Sequence, residues 1–140
     1  MRPSTGEIVT RTVLIALGII TATPALAIVW PGMLDVSYGV DDPADPMLSA
    51  LLKHRGVLQG ALGAALVWAA LRPALRPAAA GAAIVTKSTF VALMFSLPES
   101  GWRDAAGGVL FDVVTMAVLV VVAVRHVRSA APALATRGGS

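Results

Sequence analysis

Residues 77–97 read PAAAGAAIVTKSTFVALMFSL, an apolar run with a single charge, Lys87, at its centre. Ten residues of the run precede the lysine and ten follow it. About 20 residues in helical form cross a hydrocarbon core of about 30 Å. The run therefore reads as a membrane span with a lysine near the midplane. Insertion scales put the cost of a lysine there at about 2.5–3.5 kcal/mol. Snorkelling helps least at that depth, because the stem must reach across half the membrane. Such a residue is expected to face other helices and to find a partner among them.

Working outward, residues 12–30, 48–71 and 105–124 form three further apolar segments of spanning length. Pro31, Pro46, Pro73, Pro77 and Pro98 lie at or near segment ends, where a missing N–H does least harm. Pro24 falls inside the first span and predicts a kink there. The 140-residue chain is 56% hydrophobic and 14% charged, with mean hydropathy +0.78. A soluble domain this small cannot hide so much apolar surface. The expected fold is all-α, an integral membrane four-helix bundle over residues 1–128. The Ala-, Gly- and Ser-rich tail, 129–140, is expected to be mobile. No internal repeat or inverted-repeat symmetry is visible.

The arginines sort by side. Arg2, Arg11, Arg72, Arg76, Arg125, Arg128 and Arg137 fall on the N-terminal tail, the second connection and the C-terminal tail, and Arg103 alone on the opposite side. By the positive-inside rule both termini are cytoplasmic, and the protein is a multi-pass component of the cell (inner) membrane. The first connection carries Asp35, Asp41, Asp42 and Asp45, and the third carries Glu99 and Asp104. Trp30 and Trp102 stand at outer span ends and Trp68 near an inner one, as interfacial anchors do. A cleavable signal peptide is the competing account of the first span, since Ala25-Leu26-Ala27 matches an A-x-A site. The apolar run continues through Ile28, Val29 and Trp30, which favours an uncleaved span.

Depth arithmetic gathers the intramembrane polar residues. Counted inward from the outer surface, Asp112 on the fourth span lies roughly 10 Å deep and Lys87 roughly 15 Å deep. The spans are antiparallel neighbours across a short loop, so the two side chains are within reach. On the second span, Arg55 comes level with Asp112 and Gln59 with Lys87; they are four apart and share a helix face. A buried polar layer of Arg55, Gln59, Lys87 and Asp112 is therefore expected, with Arg55 offering its fork to Asp112 and Lys87 adding a point charge. Small residues accompany it: Ala79, Ala80 and Ala83 on the Lys87 face, Gly108, Thr115 and Met116 on the Asp112 face, and Gly56, Gly60 and Gly63 on the second span. Two cations against one carboxylate leave an excess positive charge. A carboxylate of the outer loop, a lipid phosphate, a small anionic ligand or an uncharged Lys87 would meet it. His54, Arg55 and Lys87 are the candidate ligand-binding residues. A purely structural ion pair that selects helix neighbours is the alternative.

Other chemistry finds less support. The chain has no cysteine, which removes disulfides, thiolate metal sites and iron–sulfur clusters. His54 and His126 lie toward opposite membrane faces, so they cannot share a haem. The Asp41-Asp42-Pro43-Ala44-Asp45 run lacks EF-hand spacing. No nucleophile elbow, metalloprotease signature, Walker loop or dinucleotide fingerprint is present. No cofactor and no nucleic-acid partner is expected. Ser88, Thr86, Thr89 and Thr115 are expected to bond within their helices.

The stretches LLKHRGVLQGALGAALVWAALRP (51–73), AAIVTKSTFVAL (82–93) and LFDVVTMAVLV (110–120) resemble small bacterial four-helix membrane proteins of the DoxX-like kind. The resemblance rests on hydropathy and a few polar positions and brings no catalytic motif. Three functions stay open: a non-catalytic structural, accessory or ligand-docking bundle, alone, as a homo-oligomer or within a membrane complex; a transporter or proton relay using Lys87 and Asp112; or a membrane enzyme or quinone-binding protein.

Overall fold

The computed structural model describes residues 4–40, 44–96 and 106–135, and every regular element among them is helical. Helix α1 (Thr5–Ala22) starts well before the apolar run at residue 12, because Ser4 caps it. The Ser4 hydroxyl accepts from the Glu7 N–H at 3.3 Å, the arrangement that satisfies a first-turn donor. After Ala22 the chain tightens into a 3₁₀ turn, Thr23–Ile28, with Pro24 in its first turn. Proline supplies no N–H for the α ladder, so the winding changes where its ring enters.

The first connection is not merely an acidic loop. It contains a short helix, α2 (Met33–Tyr38), whose Met33 and Leu34 are buried with Ala27. Gly39 closes α2 at φ 65°, a left-handed conformation suited to glycine, and donates to the Asp35 carbonyl at 2.8 Å. Helix α3 (Pro46–Leu71) is capped by Asp45, whose carboxylate accepts from the Met47 N–H at 2.9 Å. One acid of that connection is therefore a helix cap; Asp41 and Asp42 lie outside the described residues.

A 3₁₀ turn (Pro73–Leu75) leads into α4 (Arg76–Phe95), and α5 covers Ala106–Ala135. Residues 129–135, expected as mobile tail, instead continue α5. Their alanine content explains this, since alanine has the highest helix propensity. Arg2, Pro98, Glu99, Trp102, Arg103, Asp104 and Arg137 lie outside the described residues.

Among the described residues, three stretches are long and apolar enough to cross a membrane: Thr5–Ile28, Pro73–Phe95 and Ala106–His126. Helix α3, at 26 residues, has the length, but Lys53, His54, Arg55 and Gln59 dilute its first half. Ile19, Val29, Val85, Leu93, Leu110 and Val121 are exposed on the helix exteriors. That surface suits hydrocarbon better than water.

Helix α1 packs on α3, α3 on α4, and α4 on α5. The α1–α3 contact is closest because both helices present glycine. A Cβ on Gly18 would lie 2.7 Å from the Gly63 carbonyl oxygen, and one on Gly63 would strike the Gly18 carbonyl. Away from that seam, Leu14, Leu66 and Leu119 meet the buried alanines of α3 and α4. Large side chains from three helices thus fill the gaps left by small ones.

Candidate functional site

The alanine face of α4 decides where Lys87 points. Ala79, Ala80, Ala83 and Lys87 recur at helical spacing, and all four are buried. On α5 the buried face is Val109, Asp112, Thr115 and Leu119; Gly108 and Met116 are less enclosed. Where the two faces meet, the Lys87 ammonium donates to the Asp112 carboxylate. The exposures of these residues are 2% and 5%, so the pair is withdrawn from solvent. The Lys87 ammonium also lies 5.0 Å from the Phe111 ring centroid.

Arg55 and Gln59 come to the same place from α3. All four layer residues line one cavity of about 290 Å³. Its walls are completed by Thr21 and Pro24 from the first span, Tyr38 from α2, Phe90 and Met94 from α4, and Phe111 from α5. Its volume is at the lower end of small-molecule sites.

Arg55 does not do what its depth suggested. Its guanidinium stacks over Phe90, 4.1 Å from the ring centroid, and lies 5.5 Å from the Tyr38 centroid. The Asp112 carboxylate is engaged by Lys87 instead. The reason is geometric: a flat, weakly hydrated guanidinium gains from two aromatic faces, whereas an ammonium on a flexible stem reaches a buried carboxylate. Among the described residues Arg55 Nε is buried without a hydrogen-bond partner, and so are Gln59 Oε1, Tyr38 Oη and Thr21 Oγ1. Each belongs to a residue lining the cavity. Burial pushes the Tyr38 phenol up, against the opposing charge of Arg55, so its O–H remains a donor at neutral pH.

His54, the third candidate ligand-binding residue, is exposed and does not line the cavity. Adjacent helical positions are turned by about 100°, so Arg55 facing inward carries His54 away. His126 lines a separate recess at the other end of the molecule, with Glu7 and Arg76. Among the described residues no three His, Asp or Glu side chains gather in a metal-binding arrangement. Thr86 and Thr89 bond their own helix at 2.9 Å, and Ser88 bonds the Ile84 carbonyl. Thr115 departs from that expectation: its buried hydroxyl has no partner among the described residues.

In the sequence Arg76 reads only as a positive charge of a connecting loop, and Glu7 carries no role. In the structure Arg76 is 6% exposed and grips the Glu7 carboxylate through both terminal nitrogens, at 2.8 and 2.6 Å. Two further N–H groups donate to the Ala69 and Ala70 carbonyls, each at 3.2 Å. These carbonyls belong to the last turn of α3, where acceptors lack helical partners. Arg76 thus ties the start of α1, the end of α3 and the start of α4 together. The Ser4-Thr5-Gly6-Glu7 spacing, a capping-box pattern, was the available sign of Glu7.

Comparison of the chain with family models, with curated proteins and with solved structures gives no match.

Proposed function

We propose that the protein is a four-span cell-membrane protein that docks a small anionic amphiphile in the cavity between α3, α4 and α5. Both termini are cytoplasmic in this proposal, and α3 is the fourth span, with its polar half turned toward the cavity. The arginine asymmetry supports that orientation. The bundle serves as a non-catalytic accessory or ligand-binding component. The DoxX-like resemblance agrees with four spans and adds no chemistry.

One observation carries the ligand class. Arg55 brings a positive charge into the cavity and an Nε without a partner among the described residues, while Asp112, the acid of the layer, is held by Lys87. A carboxylate, phosphate or sulfonate head would supply the missing charge and acceptors. Tyr38 and Thr21 add hydroxyls, and Phe90, Met94 and Phe111 offer an apolar berth for the ligand body. Leaving buried polar groups unpaired costs about 1–3 kcal/mol each, which a ligand of this kind would recover.

Fractionation comes first: the chain should stay with membranes through high-salt washing and be released by detergent. Native mass spectrometry of the detergent-purified protein should then find a co-purifying small anion, absent from Arg55→Gln. A wild-type chain that carries no small molecule, and is not stabilised by 2-naphthoate over 2-naphthamide, would count against the ligand.

A second reading rests on the ion pair as a wall of the same cavity. A ligand or proton that competes for Asp112 would couple occupancy to the α4–α5 contact, as in a transporter or proton relay. A pH-dependent flux in proteoliposomes, lost in both Lys87→Met and Asp112→Asn, would favour it.

A further inference from the structure

The polar groups of the cavity that lack partners fall at two levels. Arg55 and Gln59 are one turn apart on α3, so Gln59 lies about 6 Å further along the helix axis. Helix α1 packs antiparallel on α3, with Gly56 against Pro24 and Gly63 against both Gly18 and Ala22. Thr21 therefore stands near the Gly63 level, on the Gln59 side of the cavity. One end holds Arg55 Nε and the Tyr38 hydroxyl, and the other holds Gln59 Oε1 and the Thr21 hydroxyl. All four atoms are buried without a hydrogen-bond partner among the described residues. Thr21 does not return its hydroxyl to its own helix, as Thr10, Thr86 and Thr89 do.

The two ends need different partners. An anionic head supplies only acceptors, which suit Arg55 Nε and the Tyr38 O–H. It cannot serve Gln59 Oε1, an acceptor that needs a donor. A hydroxyl at the far end of the ligand can, because it donates to Gln59 and accepts from Thr21. The space between the ends limits what joins them. An apolar cavity of about 150 Å³ holds benzene. This one, at about 290 Å³, has room for one ring or two fused rings against Met94 and Phe111. A phenol keeps its proton at neutral pH and so stays a donor. We propose that the ligand is an aromatic hydroxy acid, its carboxylate at Arg55 and its hydroxyl, at the opposite end of the ring system, between Gln59 and Thr21. This inference rests on the reading of the cavity as an anion site and adds the chemistry of the second end.

Equilibrium dialysis of the protein in a neutral detergent, against micelles alone, tests it. The acid 6-hydroxy-2-naphthoate should bind about tenfold more tightly than 6-methoxy-2-naphthoate, which carries the same oxygen but no donor. The isomer 3-hydroxy-2-naphthoate, whose hydroxyl lies beside the carboxylate, should gain nothing over 2-naphthoate. Gln59→Met should bring the ratio between the 6-hydroxy and 6-methoxy acids close to one, and Thr21→Val should reduce it. Thr115→Val removes a buried hydroxyl outside the cavity and should keep the tenfold ratio. Equal binding of the 6-hydroxy and 6-methoxy acids, by a chain that takes up 2-naphthoate, would overturn this inference and spare the anion site. A ratio that survives Gln59→Met would overturn it too. Binding of none of the four acids would reject the anion site, and this inference with it.

Discussion

The ammonium of Lys87 donates to the carboxylate of Asp112 across the α4–α5 interface, and both side chains are almost wholly buried. Arg55 lines the same cavity but spends its guanidinium on Phe90 and Tyr38. The cluster is thus divided: one cation neutralised by the acid, and one held by rings.

That division predicts a non-additive mutant cycle. Lys87→Met leaves Asp112 without its partner in a low-dielectric site and should destabilise the protein by about 3–5 kcal/mol. Lys87→Met with Asp112→Leu should recover most of that loss, because two apolar side chains carry no desolvation penalty. Unfolding in a detergent and denaturant titration measures both.

Arg55 should separate binding from stability. Arg55→Lys keeps the charge but loses the flat contact with Phe90, so stability should fall by about 0.5–2 kcal/mol. Arg55→Gln should cost a similar amount, yet it alone removes the charge and with it the stabilisation by 2-naphthoate. Thermal unfolding with and without that probe distinguishes the two variants.

The Glu7–Arg76 clasp should behave as a structural bond between helices. Glu7→Gln weakens two charge-assisted hydrogen bonds to a buried guanidinium, and a loss of about 1.5–3 kcal/mol is expected. Arg11→Gln, which removes the more exposed partner, should cost under about 1 kcal/mol. Hydrogen exchange should show faster opening of the first turns of α1 in Glu7→Gln only.

The glycine seam predicts steric intolerance. Gly63→Ala places a methyl group against the Gly18 carbonyl and the Ala22 side chain, so α1 and α3 must separate. Overpacking of this kind costs about 1–3 kcal/mol. Gly81→Ala is the control, since its added Cβ meets nothing within 4 Å. It should be neutral or slightly stabilising, and a thermal unfolding series compares the pair.

The absence of cysteine makes topology directly measurable. Ser4→Cys and Arg128→Cys should resist an impermeant thiol reagent in intact cells, whereas Val40→Cys should react. Reaction at Ser4 and Val40 together would place them on one side of the membrane and remove the four-span arrangement.

Much of the helical layout was legible in the sequence because hydrophobic length is a local, additive property. The runs around 48–71 and 77–97 announce α3 and α4 nearly to the residue, and the prolines mark their ends. Helix α2 was not legible, because six residues with Asp35 among them are too few to show a period; Met33 and Leu34 become helical by being buried against Ala27. Helix α5 outran its apolar run for the converse reason, since backbone helicity does not stop where hydrophobicity does.

For the site, the sequence by itself determined which residues share a level. Position along a helix converts to depth at a fixed rise, so Arg55, Gln59, Lys87 and Asp112 could be placed together before any contact was known. Only the tertiary structure decided how they pair, because pairing depends on the rotation of each helix about its axis and on aromatic faces brought from elsewhere in the chain. Phe90 and Tyr38 captured Arg55, Lys87 kept Asp112, and Glu7 claimed Arg76 across 69 residues of sequence. Depth is written in one dimension and survives in the sequence; partnership is settled in three.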